Sequence, residues 1–435
     1  MASMLVPKKG VFMNRTVISH GLAALVLAFA PGCLQGGGGG DGGSGGAGAQ
    51  GGAGGDGGSV SQGGSGGQGG QQTTTSTSTG TTACQSGPND DADNDGFTPA
   101  QGDCNDCAAG MNPNALEVPT LPGQAAIDED CDGQVDEAAA ACDGGLMLAD
   151  PSATSAAWAV DICKASSGPN DWGLVSAAWV LSDGTAAPNT PEYHAGHGIV
   201  GDFGPNVSVR FGQSMLALSS GTARLPADPG YQENYFKGIQ SGQPAGFPKE
   251  TPACPGVTSG SANDSAALEV TVNAPSNATG LAFDFSFYTH EFPAWVCTVF
   301  NDLFVAMLSP VPMGQMDGNI SFDSMGNTIS VNSAFLEVCG CSSGPPCTAG
   351  GKTYTCALGT GELLGTGFDV GPNVIEPGAA TGWLTTTAPV EGGSQISLRF
   401  AIHDSGDGIL DSTTIVDNFR WTTAGVPNVQ TQPAK

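Results

Sequence analysis

The chain has 435 residues, with 41 acidic side chains against 12 basic ones, a formal net charge of -29, and 69 glycines. So few cations exclude a nucleic-acid surface and an anionic-lipid surface, because both need clustered Lys and Arg. The length admits two or three domains, and the glycine content means that the foldable part is shorter than the chain.

Lys8, Lys9 and Arg15 precede an apolar run from Val17 to Ala30 that is shorter than a membrane span and is interrupted by Ser19, His20 and Gly21. This predicts a signal peptide over residues 1–32 and an exported protein. Ala30-Pro31-Gly32-Cys33 is similar to a bacterial lipobox, with Ala30 where Leu is usual. The expectation is a lipid on Cys33 and the outer membrane or cell surface as address; the alternative is an ordinary signal peptide cut near Ala30. No other stretch is long and apolar enough to span a membrane. Residues 33–83 are Gly, Ser, Gln and Thr with almost nothing apolar, so they cannot bury a core and read as a disordered tether. About 50 such residues reach roughly 40 Å.

Residues 84–142 hold most of the chemistry. The segment from Asp90 to Glu137 contains no Lys or Arg, and carboxylates this dense repel one another unless a cation neutralises them. Two clusters place carboxylates at i, i+2 and i+4 with Gly at i+5: Asp91, Asp93, Asp95 with Gly96, and Asp128, Asp130, Asp132 with Gly133. Alternate residues of a curled loop point inward and the glycine permits the turn, so both loops are predicted to hold a hard ion. Asp103 after the first loop, and Asp136 and Glu137 after the second, are the candidate closing ligands. Neither loop has the closing Glu or the flanking helices of an EF-hand; thrombospondin-type calcium loops are the closer analogy. That predicts calcium at the weak extracellular end, about 10⁻⁴ to 10⁻³ M. Cys104-Asn-Asp-Cys107 reads as disulfide chemistry in an oxidising compartment, and carboxylate-rich loops without His or free sulfur favour hard ions.

Cysteine parity carries the organisation further. Assigning Cys33 of the 13 cysteines to lipid leaves twelve, five of them in or beside the acidic module and seven beyond it. If all pair internally, at least one bridge joins the two regions.

From residue 143 to 424 the composition becomes globular. Ser152 to Ala165 is predicted as a helix with Ser152 as its cap. Leu268–Val272, Leu281–Phe287 and Ile396–Ile402 alternate with the period of a sheet buried on one face. Val207–Phe211, Phe304–Leu308, Ile329–Val331 and Ile415–Trp421 are further strands, and residues 425–435 read as a polar tail. Many short strands with Gly, Pro, Asn and Asp turns predict a mainly β protein, an antiparallel sandwich of jelly-roll type. Within it Asp404, Asp407 and Asp411, with Gly406 and Gly408, form either another calcium loop or a solvated hairpin. Asp417 falls in phase with buried strand positions and needs a partner. His194-Ala-Gly-His197 lacks the Glu of a metalloprotease helix and reads as an exposed loop. With no nucleophile elbow and no phosphate-cradling motif, no catalytic residues are assigned and no enzyme is expected.

Two resemblances follow from the residues. Asp91 through Asp106, Asn112-Pro-Asn114 and Asp128 through Glu137 resemble the metal-binding motif of MopE-like bacterial surface proteins, without that motif's Cys shortly before the second cluster. Phe283–Phe292, Phe300–Leu308, Asn319–Phe322 and Asp404–Phe419 resemble choice-of-anchor L domains. These imply a surface protein without catalytic residues and admit copper as the less favoured ion; the surface ligand, protein or glycan, stays open. A carbohydrate-binding module displaying Trp172, Trp179, Trp295 or Trp383 is the second expectation, and a divergent secreted hydrolase the third.

Overall fold

The computed structural model describes residues 86–138, 140–370 and 378–435. The signal peptide, Cys33 and the tether lie outside the described residues. Among the described residues no helix is long and apolar enough to cross a membrane.

The strands come in chain order as β1 (Gly173–Val180), β2 (His197–Val200), β3 (Met215–Ser219), β4 (Gln240–Ser241) and β5 (Ala262–Asn273). Next come β6 (Gly280–Thr289), β7 (Leu303–Ser309) and β8 (Ile329–Ser330), and β9 (Cys347–Ala349) with β10 (Lys352–Tyr354) make a small separate ribbon. The chain closes with β11 (Ala379–Ala380), β12 (Leu384–Pro389), β13 (Gln395–Ser405), β14 (Ser412–Thr422) and β15 (Gln430–Pro433). They build two antiparallel sheets. The first runs β1-β5-β13-β7-β8 with β4 beside β5, and the second β15-β12-β6-β14-β3-β2 with β11 beside β6.

The sheets face each other through the alternating positions that the sequence marks. Phe283 and Phe285 of β6 meet Phe400 of β13 and Phe304 of β7, each pair with ring centroids 4.9 Å apart, so aromatic contacts bridge the two sheets. The predicted strands over Leu268–Val272, Leu281–Phe287, Phe304–Leu308, Ile396–Ile402 and Ile415–Trp421 are all present, and β8 holds the first two residues of the short strand expected at Ile329–Val331.

Three local expectations are corrected. The helix is shorter: α1 spans Ala153–Trp158, capped as expected by Ser152, whose hydroxyl accepts the Ser155 amide. It ends where Asp161 takes a left-handed φ of 70° and Ala165 bridges to Leu174. Val207–Phe211 is not a strand; a turn at Pro205-Asn206 leaves only an isolated bridge at Ser208, and Val207 packs in a loop core instead. The tail is not free, since β15 pairs with β12 and Thr431 hydrogen-bonds Thr386 at 2.8 Å. A second short helix, α2 (Pro191–Ala195), precedes β2.

Both outer faces of the sandwich are covered by loops. Phe203, Val207 and Phe368 pack with Tyr288 and Ile415 over the second sheet, and Phe247 covers Val305 and Ala401 of the first. Every residue of β6 is therefore buried, not one face of it.

Candidate metal centre

The two acidic loops fold alike, residue for residue. In the first, the Asp95 amide donates to both Asp91 and Asp93 at 3.2 Å, and the Gly96 amide donates to Asp91. In the second, Asp132 donates to Asp128 and Asp130 at 3.1 Å, and Gly133 donates to Asp128. Each loop turns on a left-handed residue, Asn94 (φ 64°) and Cys131 (φ 61°), and then on a glycine, Gly96 (φ 96°) and Gly133 (φ 91°). The wrap follows from the spacing: carboxylates two residues apart face one centre while the amides between them turn inward.

Four carboxylate trios result, each with ligand atoms within 4.8 Å of one another: Asp91/Asp93/Asp95, Asp93/Asp103/Asp106, Asp128/Asp130/Asp132 and Glu117/Asp130/Glu137. Asp93 and Asp130 each belong to two trios. The structure thus adds Asp106 and Glu117, which the sequence reading did not single out. It turns Asp136 elsewhere, to the Thr120 amide at 2.6 Å. The donor set is oxygen only and dense, which suits a hard cation. Asp103 and Asp106 are 6% and 3% exposed, and Asp93, Asp103, Asp106 and Glu137 each keep one oxygen without a hydrogen-bond partner among the described residues. Burial, and then the neighbouring carboxylates, push the acids Asp93, Asp103 and Asp130 above the usual range.

The module has its own staples and a hub. Cys104–Cys131 ties the first loop to the second, Cys142–Cys163 ties the module to the sandwich as parity requires, and Cys107 is also disulfide-bonded. Asn112, fully buried, donates to Asp95 at 2.9 Å through its side chain and to the Glu129 carbonyl at 2.9 Å through its backbone, so it holds both loops. The same residue accepts the Ser276 hydroxyl at 2.8 Å, Asn114 accepts the Trp172 amide at 2.6 Å, and Asn277 clamps both backbone groups of Leu116. The Asn-Pro-Asn turn therefore joins the acidic loops and the sandwich in one network.

In the sandwich the predicted Asp404, Asp407 and Asp411 do not meet in one trio among the described residues. Asp411 accepts the Tyr235 amide at 2.9 Å and faces Lys237, Asp407 is exposed, and Asp404 is turned into the interior. Asp417 has its partner in Asp161: burial, and then the Asp417 charge, push Asp161 up to about 8, while burial pushes Asp417 up to about 6 against hydrogen bonds from Arg210, Asn418 and Asp161 that lower it. Asp284, also fully buried, is met by Arg210, Arg420 and Asn418.

The His pair is not an exposed loop. His194 on α2 and His197 on β2 are hydrogen-bonded at 2.8 Å, and His197 is buried and stacks on Trp179 with centroids 3.8 Å apart. Burial pushes the His197 imidazole down to about 3, so it is neutral. Of the indoles expected for a sugar platform, Trp172 lies under Lys164, Trp383 packs on the loop core, and Trp295 alone among the described indoles is exposed.

A family profile describing the choice-of-anchor L domain matches residues 187–418, more than half of the chain. No curated protein and no solved structure matches it. The matched span runs from just before α2 into β14 and takes in β2 to β13, and membership points to a surface-associated module. The chain belongs to the choice-of-anchor L family.

Proposed function

We propose that the protein is a lipid-anchored surface module: acylated at Cys33, carried on the 33–83 tether, ordered by calcium in its acidic module, and using its sandwich to bind a protein or glycan at the cell surface without catalysis. The observation that carries the calcium reading is the pair Asp103 and Asp106. Both are more than nine-tenths buried with an oxygen lacking any partner among the described residues, in a segment from Asp90 to Glu137 that has neither Lys nor Arg. Buried carboxylates left so are strongly unfavourable, and an oxygen-coordinated cation removes both the repulsion and the unmet hydrogen-bonding demand. Asp91, Asp93, Asp95, Asp103 and Asp106 would hold one ion and Glu117, Asp128, Asp130, Asp132 and Glu137 the other. Calcium is favoured over copper because these ligands are carboxylates without imidazole or free thiolate.

The test is a thermal melt and a calorimetric titration of the oxidised full chain in calcium and in chelator. At calcium a hundredfold above its dissociation constant, one such site adds about 2.7 kcal/mol to stability. A melting temperature indifferent to chelation, with no stoichiometric heat, would sink the calcium reading and leave copper or zinc to be titrated next.

A further inference from the structure

The connections from β6 to β7 and from β13 to β14 lie at the same end of the sandwich. Thr289 of β6 pairs with Ser412 of β14 in one sheet, and His403 of β13 pairs with Leu303 of β7 in the other, so both connections cross between the sheets there. They are pinned to each other: the Ser405 amide donates to the Asp302 side chain at 3.1 Å and the His290 amide to the Asp411 carbonyl at 3.2 Å. A cavity of about 240 Å³ opens here, lined by Glu291, Trp295 and Phe300 from the first connection and Asp407, Ile409 and Leu410 from the second. Pockets for drug-sized ligands run to roughly 300–1,000 Å³, so this one suits a single side chain.

Its walls are built locally. The Thr298 hydroxyl donates to the Trp295 carbonyl at 2.9 Å and to the Phe300 carbonyl at 3.1 Å, and the turn so closed sets the indole edge-on to the Phe300 ring with centroids 5.2 Å apart. Gly406, at a φ of 115°, lets the second connection approach that ring, since a Cβ there would come within 2.8 Å of it. Four of the six lining side chains are apolar, and Trp295 and Ile409 are exposed to water. The other two are acids, Glu291 buried and Asp407 exposed, and no Lys, Arg or His lines the cavity. Elsewhere the chain sets its own cations over its indoles: Lys164 Nζ lies 4.4 Å from the Trp172 ring centre and the Arg210 guanidinium 5.8 Å from that of Trp383. Trp295 has no such cation among the described residues, although indole is the aromatic ring that attracts one most strongly. Burial pushes the Glu291 carboxyl above the usual range, and a positive charge beside it would favour its ionised form. A sugar fits these walls less well, because buried hydroxyls need polar partners and the apolar side chains supply none.

We propose that this cavity is the docking point for a lysine or arginine side chain of a partner protein, its apolar stem against Trp295, Phe300, Ile409 and Leu410 and its charged head met by Glu291 and Asp407. Both side chains carry such a stem below a charged head. A chain with a net charge of -29 also draws a basic partner in from a distance. The inference rests on the reading of the sandwich as a module for a surface ligand, and it selects the protein over the glycan.

The test follows the Trp295 indole N–H resonance of the oxidised full chain in calcium, assigned by its loss in Trp295→Phe. The probes are the Nα-acetyl methylamides of lysine and arginine, with the norleucine derivative as uncharged counterpart and methyl glucoside as the sugar. A saturable shift with a cationic probe, absent with the norleucine derivative at equal concentration, supports the site. Asp407→Asn should weaken that binding about 2- to 5-fold, and Asp407→Lys more. Asp407 is exposed, so both variants should fold as the parent does, which their melting checks. An equal shift from the norleucine derivative, or binding unchanged in both Asp407 variants, overturns the assignment of a cation; no shift with any probe overturns the site. A shift with methyl glucoside alone overturns the docking of a basic side chain while the wider reading of a surface ligand stands. Calcium binding by the acidic module is titrated separately, so its failure is not confused with this one.

Discussion

Asn277→Ala isolates the joint between the acidic module and the sandwich. Asn277 lies in the connection from β5 to β6, where its carboxamide accepts the Leu116 amide at 2.9 Å and donates to the Leu116 carbonyl at 2.8 Å. A typical hydrogen bond contributes about 0.5–1.5 kcal/mol net, so losing the pair costs about 1–3 kcal/mol. Leu116 is only half-buried, so water can reach its freed groups and the lower half of that range is the better guide. The loss should stay local, because Cys142–Cys163 and the Ser276 contacts still hold the module in place. Amide hydrogen exchange at Leu116 and Ala115 reads it directly: the lower half of the range corresponds to exchange about 5- to 30-fold faster, with protection in β6 and β13 unchanged. Unchanged exchange at Leu116 would refute the joint, and equal loss of protection in β6 would show that module and sandwich open as one unit.

Two further outcomes are expected. Asp161 and Asp417 have folded-state values raised to about 8 and about 6 from an ordinary value of 3.8, so the stability they contribute is complete below that value and is lost as pH rises through 6 to 8. Asp161→Asn leaves a single carboxylate that its amide can donate to, and should flatten the fall in melting temperature over that window; a parallel fall in the variant would count against the pair. Phe283→Ala, at a fully buried ring that meets Phe400 edge-on, should cost about 3–5 kcal/mol in denaturant unfolding while calcium binding by the module persists; a loss below 1 kcal/mol would contradict the inter-sheet packing.

Legibility in the sequence follows the range of the interaction that decides each feature. The inward row Leu281, Phe283, Phe285, Phe287 is set by a period of two within one strand, and it is there to read. The burial of its outer row is not, because Tyr288 is covered by Phe203 and Phe368 from loops with no periodicity, and Asp284 is buried at the expense of two arginines elsewhere in the chain. The same division runs through the acidic loops. Asp91, Asp93 and Asp95 follow from spacing alone, whereas Asp106 and Glu117 join trios only through the way the chain returns on itself across Cys104–Cys131 and the Asn112 hub. The Val207 segment shows the reverse error: alternation is present, but Pro205-Asn206 turns the chain and the apolar side chains serve a loop core.

With 41 acids and 12 basic residues, ion pairing cannot be how this chain settles its charge. Among the described residues ion pairs reach only Asp171, Asp284, Asp317 and Glu269. Elsewhere the carboxylates turn to backbone amides, as Asp143 does with Gln213 and Ser214 and Asp264 with Lys237 and Ile239, or raise their proton affinity, as Asp161 does. Those devices run out where buried acids face one another in the acidic loops. Dissolved salt acts over roughly 8–10 Å on exposed charges and screens buried ones much less. For Asp103 and Asp106 screening therefore leaves the repulsion largely in place, which is the physical ground for the cation proposed there.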